Sequence, residues 1–382
     1  MTEMNFEFSE TQLMIKDMAR KFAEEELAPT AMERDEREEF PHEQVKKMGE
    51  LGLMGMMVEE QWGGAGLDTV SYVLAMEEIS KVDASAGVIM SVNNSLVCWG
   101  IDVHGTEDHK ERYLRDVASG RKLGAFALSE PEAGSDSTNQ HTSARRDGNS
   151  YILNGTKNFI TNGSNADLVL VMAATDRTKG AKGVSAFIVE KNFPGFLVAK
   201  KERKLGIRSS DTVSIAFQDC KVPAANLIGQ EGAGMKFALS TLDGGRIGIA
   251  AQALGIAQGS LEASIKFSKE RKAFGKPIGE LQAIQFKLAD MATNVEAARM
   301  LTLNAAVSKD RGEKFGHASA MAKLFASRIA VQAALEAIQI HGGYGYMREY
   351  NVERFLRDAK ITEIYEGTSE IQHMVIARHL LQ

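Results

Sequence analysis

The sequence predicts a mainly α-helical protein with a β domain in the middle of the chain. Helical spacing of apolar residues dominates roughly the first 120 positions, short alternating apolar runs with Asn-Gly and Lys-Gly turns follow, and long alanine-rich helical patterns return from about residue 233. A chain of 382 residues exceeds the size at which single hydrophobic cores usually stop growing. We therefore expect three domains, at residues 1–122, 123–232 and 233–382.

The first domain is predicted to be helical. Leu13, Met14, Met18 and Phe22 fit one helix face, and a further helix is expected around Val73, after the glycine-rich turn "WGGAG". Helical patterns separated by short breaks fill this region, so no sheet is expected in it.

The middle domain is predicted to be a β domain. Four segments indicate strands bounded by turns: "YILNG", "ADLVLVMAA", "VSAFIVE" and "TVSIAFQDCKV". In the last segment Val213, Ile215 and Phe217 alternate with more polar residues, as expected for a strand with one apolar face. Three of the six prolines also fall in this part of the chain: Pro131, Pro194 and Pro223.

The C-terminal domain is predicted to be a helical bundle. Apolar residues from Ile284 to Ala298 step by four and three positions, as in an amphipathic helix. Long helices with alanine-rich faces, which allow close packing, are expected at 236–264, 280–310, 317–341 and 368–381.

Composition and charge narrow the class of protein. The chain is 44% hydrophobic and 25% charged, and its net charge of -6 provides no basic surface for nucleic acid. Cys98 and Cys220 stand far apart, which excludes a CxxC site and fits a reducing compartment. No run of 18 apolar residues predicts a membrane span, and "MTEMNFEFSETQ" lacks the features of a signal or transit peptide. We expect a bacterial cytoplasmic protein, or a processed protein of the mitochondrial matrix.

Several familiar catalytic sites are missing from the sequence. No glycine run completes a dinucleotide fingerprint or a Walker A loop, and no serine stands in G-x-S-x-G. His42 and Glu43 are followed by Lys46, where a zinc protease would need a second histidine. The sequence therefore predicts no metal site and no acyl-serine chemistry.

Polar turns at strand and helix ends are the remaining candidates. "FALSEPEAGSD" (126–136) and "NFITNG" (158–163) could present hydroxyls and an aromatic ring to a planar ligand, although either could be a plain connection. "LDGGRIG" (242–248) was interpreted as Gly-Gly-Arg near a helix start, a place suited to an anionic group. The glycines in "QIHGGYGY" (339–346) indicate close approach of a backbone or ring.

Glu366, in "ITEIYEGTSEIQ", has two interpretations. Ser369 and Gln372 could form a capping box, which would make Glu366 a residue of a helix entry that gains from the helix dipole. Alternatively its carboxylate, beside the flexible Gly367, serves a reaction. Residue types alone leave both interpretations open.

Taken together, the motifs resemble those of the acyl-CoA dehydrogenases, and within them the short-chain, butyryl-CoA type. The similarity is colinear over essentially the whole chain, including "SVNNSL", "FALSEPEAGSD", "NGTKNFITNG", "TLDGGRIGIAAQALGIAQ", "AFGKPI", "QIHGGYGY" and "YEGTSEIQ". The resemblance implies an N-terminal helical domain, a middle β domain and a C-terminal four-helix bundle. It also implies FAD-dependent conversion of butyryl-CoA to trans-2-enoyl-CoA, with electrons passed to electron-transferring flavoprotein, in a homotetramer built as a dimer of dimers.

The resemblance also implies roles for individual residues. Glu366 would be the base that removes the Cα proton while the Cβ hydrogen leaves as hydride to flavin N5. The residues implied in FAD binding are Phe126, Leu128, Ser129, Gly134, Ser135, Phe159, Ile160, Thr161, Arg271, Phe274, Gln282, Gln339, Ile340, His341, Gly342, Gly343, Thr368, Ser369 and Glu370. Of these, Arg271, Gln282 and 339–343 would reach FAD of a neighbouring subunit. The residues implied in acyl-CoA binding are Ser135, Asp243, Gly244, Gly245, Arg246 and Gly367.

Three positions bear on the subtype. Branched-chain relatives carry their base in the helix of "LDGGR", where Gly244 and Gly245 hold no acid here. Relatives that act on glutaryl-CoA carry an arginine where this chain aligns Gly87, which argues for an uncharged acyl tail. Phe159 replaces a tryptophan usual in medium-chain members. Two alternatives are an oxygen-using oxidase, although such chains are generally much longer, and a flavin- or CoA-binding helical protein without turnover.

Overall fold

The computed structural model describes residues 7–381, and it confirms a mainly α protein with a β region in the middle. Our statements on the N-terminal sequence that concern residues 1–6 lie outside the described residues. The N-terminal helices are Glu10–Phe22 (α1), Ala31–Arg37 (α2), His42–Glu50 (α3), Thr69–Val82 (α4), Ala84–Ser91 (α5), Trp99–His104 (α6), Glu107–His109 (α7) and Arg115–Ala118 (α8). A wider π-helical stretch, Val92–Cys98, joins α5 to α6.

The strands and the C-terminal helices follow in sequence. The strands are Gly124–Ala127 (β1), Ser143–Asp147 (β2), Ser150–Thr161 (β3), Leu168–Ala174 (β4), Val184–Glu190 (β5), Phe196–Lys201 (β6), Thr212–Pro223 (β7) and Leu227–Ile228 (β8). After them come Gly234–Glu270 (α9), a hairpin of Lys272–Ala273 (β9) and Lys276–Pro277 (β10), and the helices Gln282–Asp310 (α10), Gly316–His341 (α11), Val352–Thr362 (α12) and Ser369–Leu380 (α13).

Helix α1 buries a different face from the one predicted. Its start is fixed by a capping box, in which Ser9 and Gln12 satisfy each other's backbone N–H groups. Ala19 and Phe22 are buried, whereas Leu13 and Met14 are 47% and 65% exposed. The predicted face was therefore wrong at Leu13 and Met14, because neighbouring helix faces share part of the same apolar spacing and only packing selects between them.

The main sheet has the strand order β6-β7-β3-β2-β4-β5-β8, and β1 pairs with β4 in parallel. The apolar run of β4 is explained by burial on both faces. Leu168 and Leu170 belong to the large core shared with the helices, whereas Val169 and Val171 belong to a second core inside the β region. Strand β4 thus joins the two cores.

Helix α9 is the centre of the C-terminal region and packs against α4, α10, α11 and α12. Two of its glycines explain how close α4 comes: a Cβ at Gly255 would lie 2.5 Å from the Glu77 carbonyl oxygen, and one at Gly259 would lie 2.7 Å from that of Lys81. Helix α12 was missed by the sequence analysis. Its apolar residues Val352, Phe355 and Ala359 keep the helical spacing, and it also buries Arg354 and Asp358.

Three features of residues 7–381 concern membrane segments, cysteines and metal-binding side chains. One helical stretch, Ala84–His104, is long and apolar enough to cross a membrane, but 94% of its most apolar window is buried in the protein, as in the core helix of a globular protein. Cys98 and Cys220 are both buried and unpaired. No group of three His, Cys, Asp or Glu side chains in this part of the chain is placed to hold a metal ion.

Candidate active site

Glu366 lies in a reversed loop between α12 and α13. Its backbone φ is +52° and that of Gly367 is +96°, both in the left-handed region. Helix α13 is capped by Thr368, whose hydroxyl accepts a hydrogen bond from the Ile371 N–H at 3.4 Å. The capping box proposed for Ser369 and Gln372 was therefore wrong, because Ser369 is already the first residue of the helix.

The carboxyl group of Glu366 faces α9. A Cβ built on Gly245 would lie 2.1 Å from Glu366 Oε2 and 2.8 Å from Leu96 Cδ2, so the absence of a side chain at Gly245 makes room for the carboxylate. Within residues 7–381, Oε2 is buried and has no hydrogen-bond partner. Burial raises the pKa of Glu366 to about 7, against the opposing effect of the Lys323 and Arg246 charges. This carboxyl group can thus exchange a proton near neutral pH.

The segment "LDGGRIG" does not begin a helix, contrary to our interpretation. Helix α9 begins at Gly234, so Gly244 and Gly245 lie in its interior and their N–H groups belong to the helix. Arg246 is buried and forms an ion pair with Asp243 at 2.5 Å. The segment therefore contributes a buried guanidinium and two positions without side chains, and it does not provide a free helix N-terminus.

The two strand-end segments lie side by side. The Asn158 N–H donates to the Ser129 carbonyl at 2.9 Å, which joins β3 to the end of β1. The pairing of β3 with β7 is irregular between Lys157 and Ile160, and within this bulge Phe159 has a φ of +60° and is 66% exposed. The bulge thus turns the Phe159 ring outward, two residues before Thr161.

Lys157, which the sequence analysis did not single out, holds these two segments together through hydrogen bonds. Its side chain is fully buried, and its Nζ donates to Glu130 Oε1 at 2.6 Å, to the Leu128 carbonyl at 3.2 Å and to Gln140. Burial lowers the pKa of Lys157 to about 8, while its ion pair overcomes the effect of burial on Glu130 and holds that pKa below its usual value. A lysine inside an alternating strand was the available signal.

The stretch from α5 to α6 connects these segments to Glu366. Asn93 Oδ1 accepts from the Gly124 N–H at 3.0 Å, and Asn162 Nδ2 donates to the Gly124 carbonyl at 3.3 Å. Leu96, one helical turn further along, adjoins Gly245 and therefore the Glu366 carboxylate. The segments predicted for a flavin ring and the predicted base thus meet on one helix.

A second group of predicted residues lies elsewhere. A cavity of about 490 Å³ forms where α9 and α11 end, and it is lined by Phe267, Arg271, Ile278, Ile340, His341, Gly342, Gly343, Tyr344 and Met347. Nothing lies within 4 Å of a Cβ built on Gly342 or Gly343. Phe274 at the β9–β10 turn is 92% exposed, and Gln282 and Gln339 are also exposed outside this cavity. From Gly245 to its C-cap residue Arg271, α9 extends over about 39 Å, so this cavity lies far from the Glu366 carboxylate.

The remaining predicted contacts lie near these two places or on the surface. Gly134 and Ser135 lie in an exposed turn between β1 and β2. Thr368, Ser369 and Glu370 begin α13, directly after the Glu366 loop.

These residues fit the FAD that the resemblance implies, provided two subunits share it. Phe159 offers an exposed aromatic ring, and Ser129 and Thr161 offer half-buried hydroxyls to a flavin ring, whereas Phe126 and Leu128 are buried in the core. The open glycine backbone at 342–343 and the Arg271 guanidinium suit a pyrophosphate. Arg271 also lies 5.3 Å from the centre of the Tyr344 ring, so an aromatic surface adjoins it.

Known proteins are similar to this chain over nearly its whole length. The chain matches sequence models of the N-terminal, middle and C-terminal domains of acyl-CoA dehydrogenases at residues 9–121, 125–220 and 232–381. It is 53% identical to the mitochondrial short-chain specific acyl-CoA dehydrogenase of Mus musculus, over 98% of this chain and 91% of that protein. It is 48% identical to the butyryl-CoA dehydrogenase of Megasphaera elsdenii, with a TM-score of 0.98 over 99% and 100% of the two chains. A chain from work on the electron transferring flavoprotein of Acidaminococcus fermentans is 51% identical, with a TM-score of 0.98 over 99% and 100%.

Proposed function

The chain belongs to the acyl-CoA dehydrogenase family of FAD-dependent oxidoreductases, and we propose that it oxidises butyryl-CoA to the trans-2-enoyl-CoA with Glu366 as the base. The observation that carries the proposal is the Glu366 carboxylate itself. It is buried, one of its oxygens has no hydrogen-bond partner among the described residues, and burial brings its pKa to about 7. A free carboxylate with such a pKa suits proton abstraction near neutral pH.

In the proposed reaction, the Glu366 carboxylate removes a proton from Cα of the bound thioester. When bound, FAD would supply the acceptor for the hydride that leaves Cβ. Loss of a proton and a hydride from adjacent carbons leaves the Cα=Cβ double bond of the product. The Glu366 N–H is proposed to donate to the thioester oxygen, where negative charge develops as the proton leaves. Gly367, with no side chain, lets the thioester approach this backbone.

Two positions support an unbranched, uncharged substrate and a single base. Gly245 leaves the space beside the Glu366 carboxylate without a second acid. Gly87 is buried, and a Cβ there would lie 2.2 Å from Ser80 Oγ, so this position carries no side chain that could bind a distal carboxylate. The butyryl-CoA and short-chain names of the similar proteins support the chain length.

We also propose that the enzyme is a homotetramer that passes its electrons to an electron-transferring flavoprotein. The separation of the Glu366 site from the Arg271 cavity supports sharing of FAD between subunits. Exposed apolar side chains on α10 and α11, such as Phe286 (60%) and Leu335 (50%), provide surface for subunit packing. The oligomer is tested by sedimentation: a stable monomer that retains one FAD per chain would contradict it.

The test of the base is flavin reduction by butyryl-CoA in a single anaerobic turnover. Glu366→Gln keeps the shape of the side chain but removes its basicity, so the reduction rate should fall by roughly a hundred- to ten-thousand-fold or more. Glu33→Gln is the matched control, because the Glu33 carboxylate is exposed on α2 and pairs there with Arg37 at 2.8 Å, away from the site. If Glu366→Gln reduced its flavin within about threefold of the parent rate, another residue would be the base.

The substrate range and the electron acceptor need separate measurements. Anaerobic titration with acyl-CoAs of increasing length should bleach the flavin best with butyryl-CoA and poorly from eight carbons upward. Equal efficiency with octanoyl-CoA would contradict the short-chain assignment. Reoxidation of the reduced enzyme by electron-transferring flavoprotein should be much faster than by oxygen, whereas the reverse would identify an oxidase.

A further inference from the structure

Two buried side chains hold the backbone directly after Glu366. Lys323, in α11, is fully buried, and its Nζ donates to the Gly367 carbonyl at 2.7 Å. Gln372, in α13 and also fully buried, donates from Nε2 to the same carbonyl at 2.8 Å and to the Glu366 carbonyl at 3.3 Å. One carbonyl group therefore has two side-chain donors from two helices.

This backbone needs support because it is reversed. Glu366 is not a glycine, yet its φ is +52°, and Gly367 follows with a φ of +96°. Side chains other than glycine pay an energetic cost in the left-handed region, and such residues persist where their surroundings hold them. Hydrogen bonds from Lys323 and Gln372 fix the carbonyl groups of these two residues, Glu366 and Gly367.

We propose that Lys323 is a positioning residue for the catalytic base: with Gln372 it holds the reversed backbone so that the Glu366 carboxylate points at Cα of the acyl-CoA. The inference rests on the proposed function, since it concerns the same base. Lys323 is not proposed to touch the substrate. A lysine is suited to this place because it contributes a hydrogen-bond donor and, from a fully buried side chain, a positive charge.

The charge of Lys323 has a second effect on the same carboxylate. Besides Lys323, the groups around Glu366 are the Arg246 guanidinium from α9, the Tyr72 hydroxyl from α4 and the Tyr365 hydroxyl from its own loop. The carboxylates of Glu363 and Glu370 in turn favour the charged form of Lys323. Arg246 is already paired with Asp243. Lys323 is thus the cation near Glu366 that has no carboxylate partner among the described residues, and its loss should raise the pKa of Glu366.

Two variants separate the hydrogen bond from the charge. Lys323→Met removes the donor and the charge with little change in length, whereas Gln372→Met removes donors and leaves the charge. Both should reduce the flavin at least about tenfold more slowly with butyryl-CoA, since small displacements of a reacting group are costly. Only Lys323→Met should also move the midpoint of the pH profile upward, by roughly one unit or more. Binding of crotonyl-CoA, measured by calorimetry, should stay within about threefold of the parent.

Each contrary result is informative. A Lys323→Met enzyme with the parental rate of flavin reduction and the parental midpoint of the pH profile would overturn the proposal. A slow enzyme with an unmoved midpoint and lost crotonyl-CoA binding would also overturn it, because that pattern indicates general damage to the site. If Lys323→Met does not fold, Gln372→Met with the parental rate overturns the positioning role. Parent and Glu366→Gln enzymes in the same series keep the hypotheses apart: an inactive parent refutes the proposed function, whereas an active parent with indifferent Lys323 and Gln372 variants refutes only this inference.

Discussion

Replacing Gly245 by alanine tests the contact on which the site geometry depends. The added methyl group would lie 2.1 Å from Glu366 Oε2 and 2.8 Å from Leu96 Cδ2, both shorter than real Cβ contacts. The carboxylate is the flexible end of its side chain, so it should move by about 1 Å to make room. A displacement of this size can cost about a hundredfold in rate, and we expect a loss of that order in flavin reduction by butyryl-CoA.

Gly244→Ala supplies the comparison for stability. Both glycines lie inside α9, where alanine favours the helix by roughly 0.5–1 kcal/mol, but the nearest atom to a Cβ at Gly244 is Lys309 Nζ at 4.0 Å. Gly244→Ala should therefore raise the melting temperature. Gly245→Ala should gain the same helix propensity and lose up to about 1–3 kcal/mol to crowding, so it should melt below Gly244→Ala.

The measurements are single-turnover flavin reduction and thermal unfolding of parent and both variants, each with its flavin content determined. Glu366→Gln combined with Gly245→Ala adds a further check, because the two changes act on one carboxylate and their rate losses should not multiply. A Gly245→Ala enzyme that is folded, holds its flavin and reduces it within about threefold of the parent rate would show that the Glu366 carboxylate does not lie where we place it.

Three further predictions follow from buried ionisable groups. The rate of flavin reduction should rise with pH through about 7, because burial raises the pKa of Glu366 and the base must be ionised; a flat profile from pH 6 to 8 would contradict this. Lys157→Met leaves the Glu130 carboxylate buried without its cation, so we expect about 3–5 kcal/mol lower stability and less flavin per chain, and parental values of both would refute a supporting role. Burial raises the pKa of Asp358 from 3.8 to about 7. Between these two pH values the unfolded chain has released a proton that the folded chain keeps, so the stability of the fold decreases as pH rises. Asp358→Asn should make this decrease smaller, which a series of melting curves at different pH values would measure.

Much of the fold could be predicted from local patterns. Strand β7 shows alternating apolar residues and α10 shows the spacing of four and three, because the backbone geometry of each element repeats along it. Helix α12 was not predicted although Val352, Phe355 and Ala359 keep the helical spacing; its buried Arg354 and Asp358 are residue types that normally indicate exposure. A local pattern records which residues are apolar, but not which polar residues have found partners.

The candidate site divides in the same way. Glu366 and the flavin segments were found from motifs, because their residue types and order along the chain are visible in the sequence. Lys157 and Lys323 were not found. The position of Lys157 in an alternating strand was a signal, but a sequence does not show that a lysine is buried beside a carboxylate or a carbonyl group. The interpretation of "LDGGR" as a helix start failed because glycine pairs usually end helices, whereas here the pair lies inside α9 and the Glu366 carboxylate leaves no room for a side chain at Gly245.

The sequence by itself determined the order of helices and strands, the family and the identity of the candidate base, because each depends on residues that are neighbours in the chain. Only the tertiary structure decided what makes that base usable. Three features do so: the empty space at Gly245, the donors Lys323 and Gln372, and the burial that brings the pKa of Glu366 to about 7. They come from α9, α11 and α13, and no local sequence pattern shows them. The physical reason is that the charge state of a buried group is set by all the atoms packed around it, and packing brings those atoms together from every part of the chain.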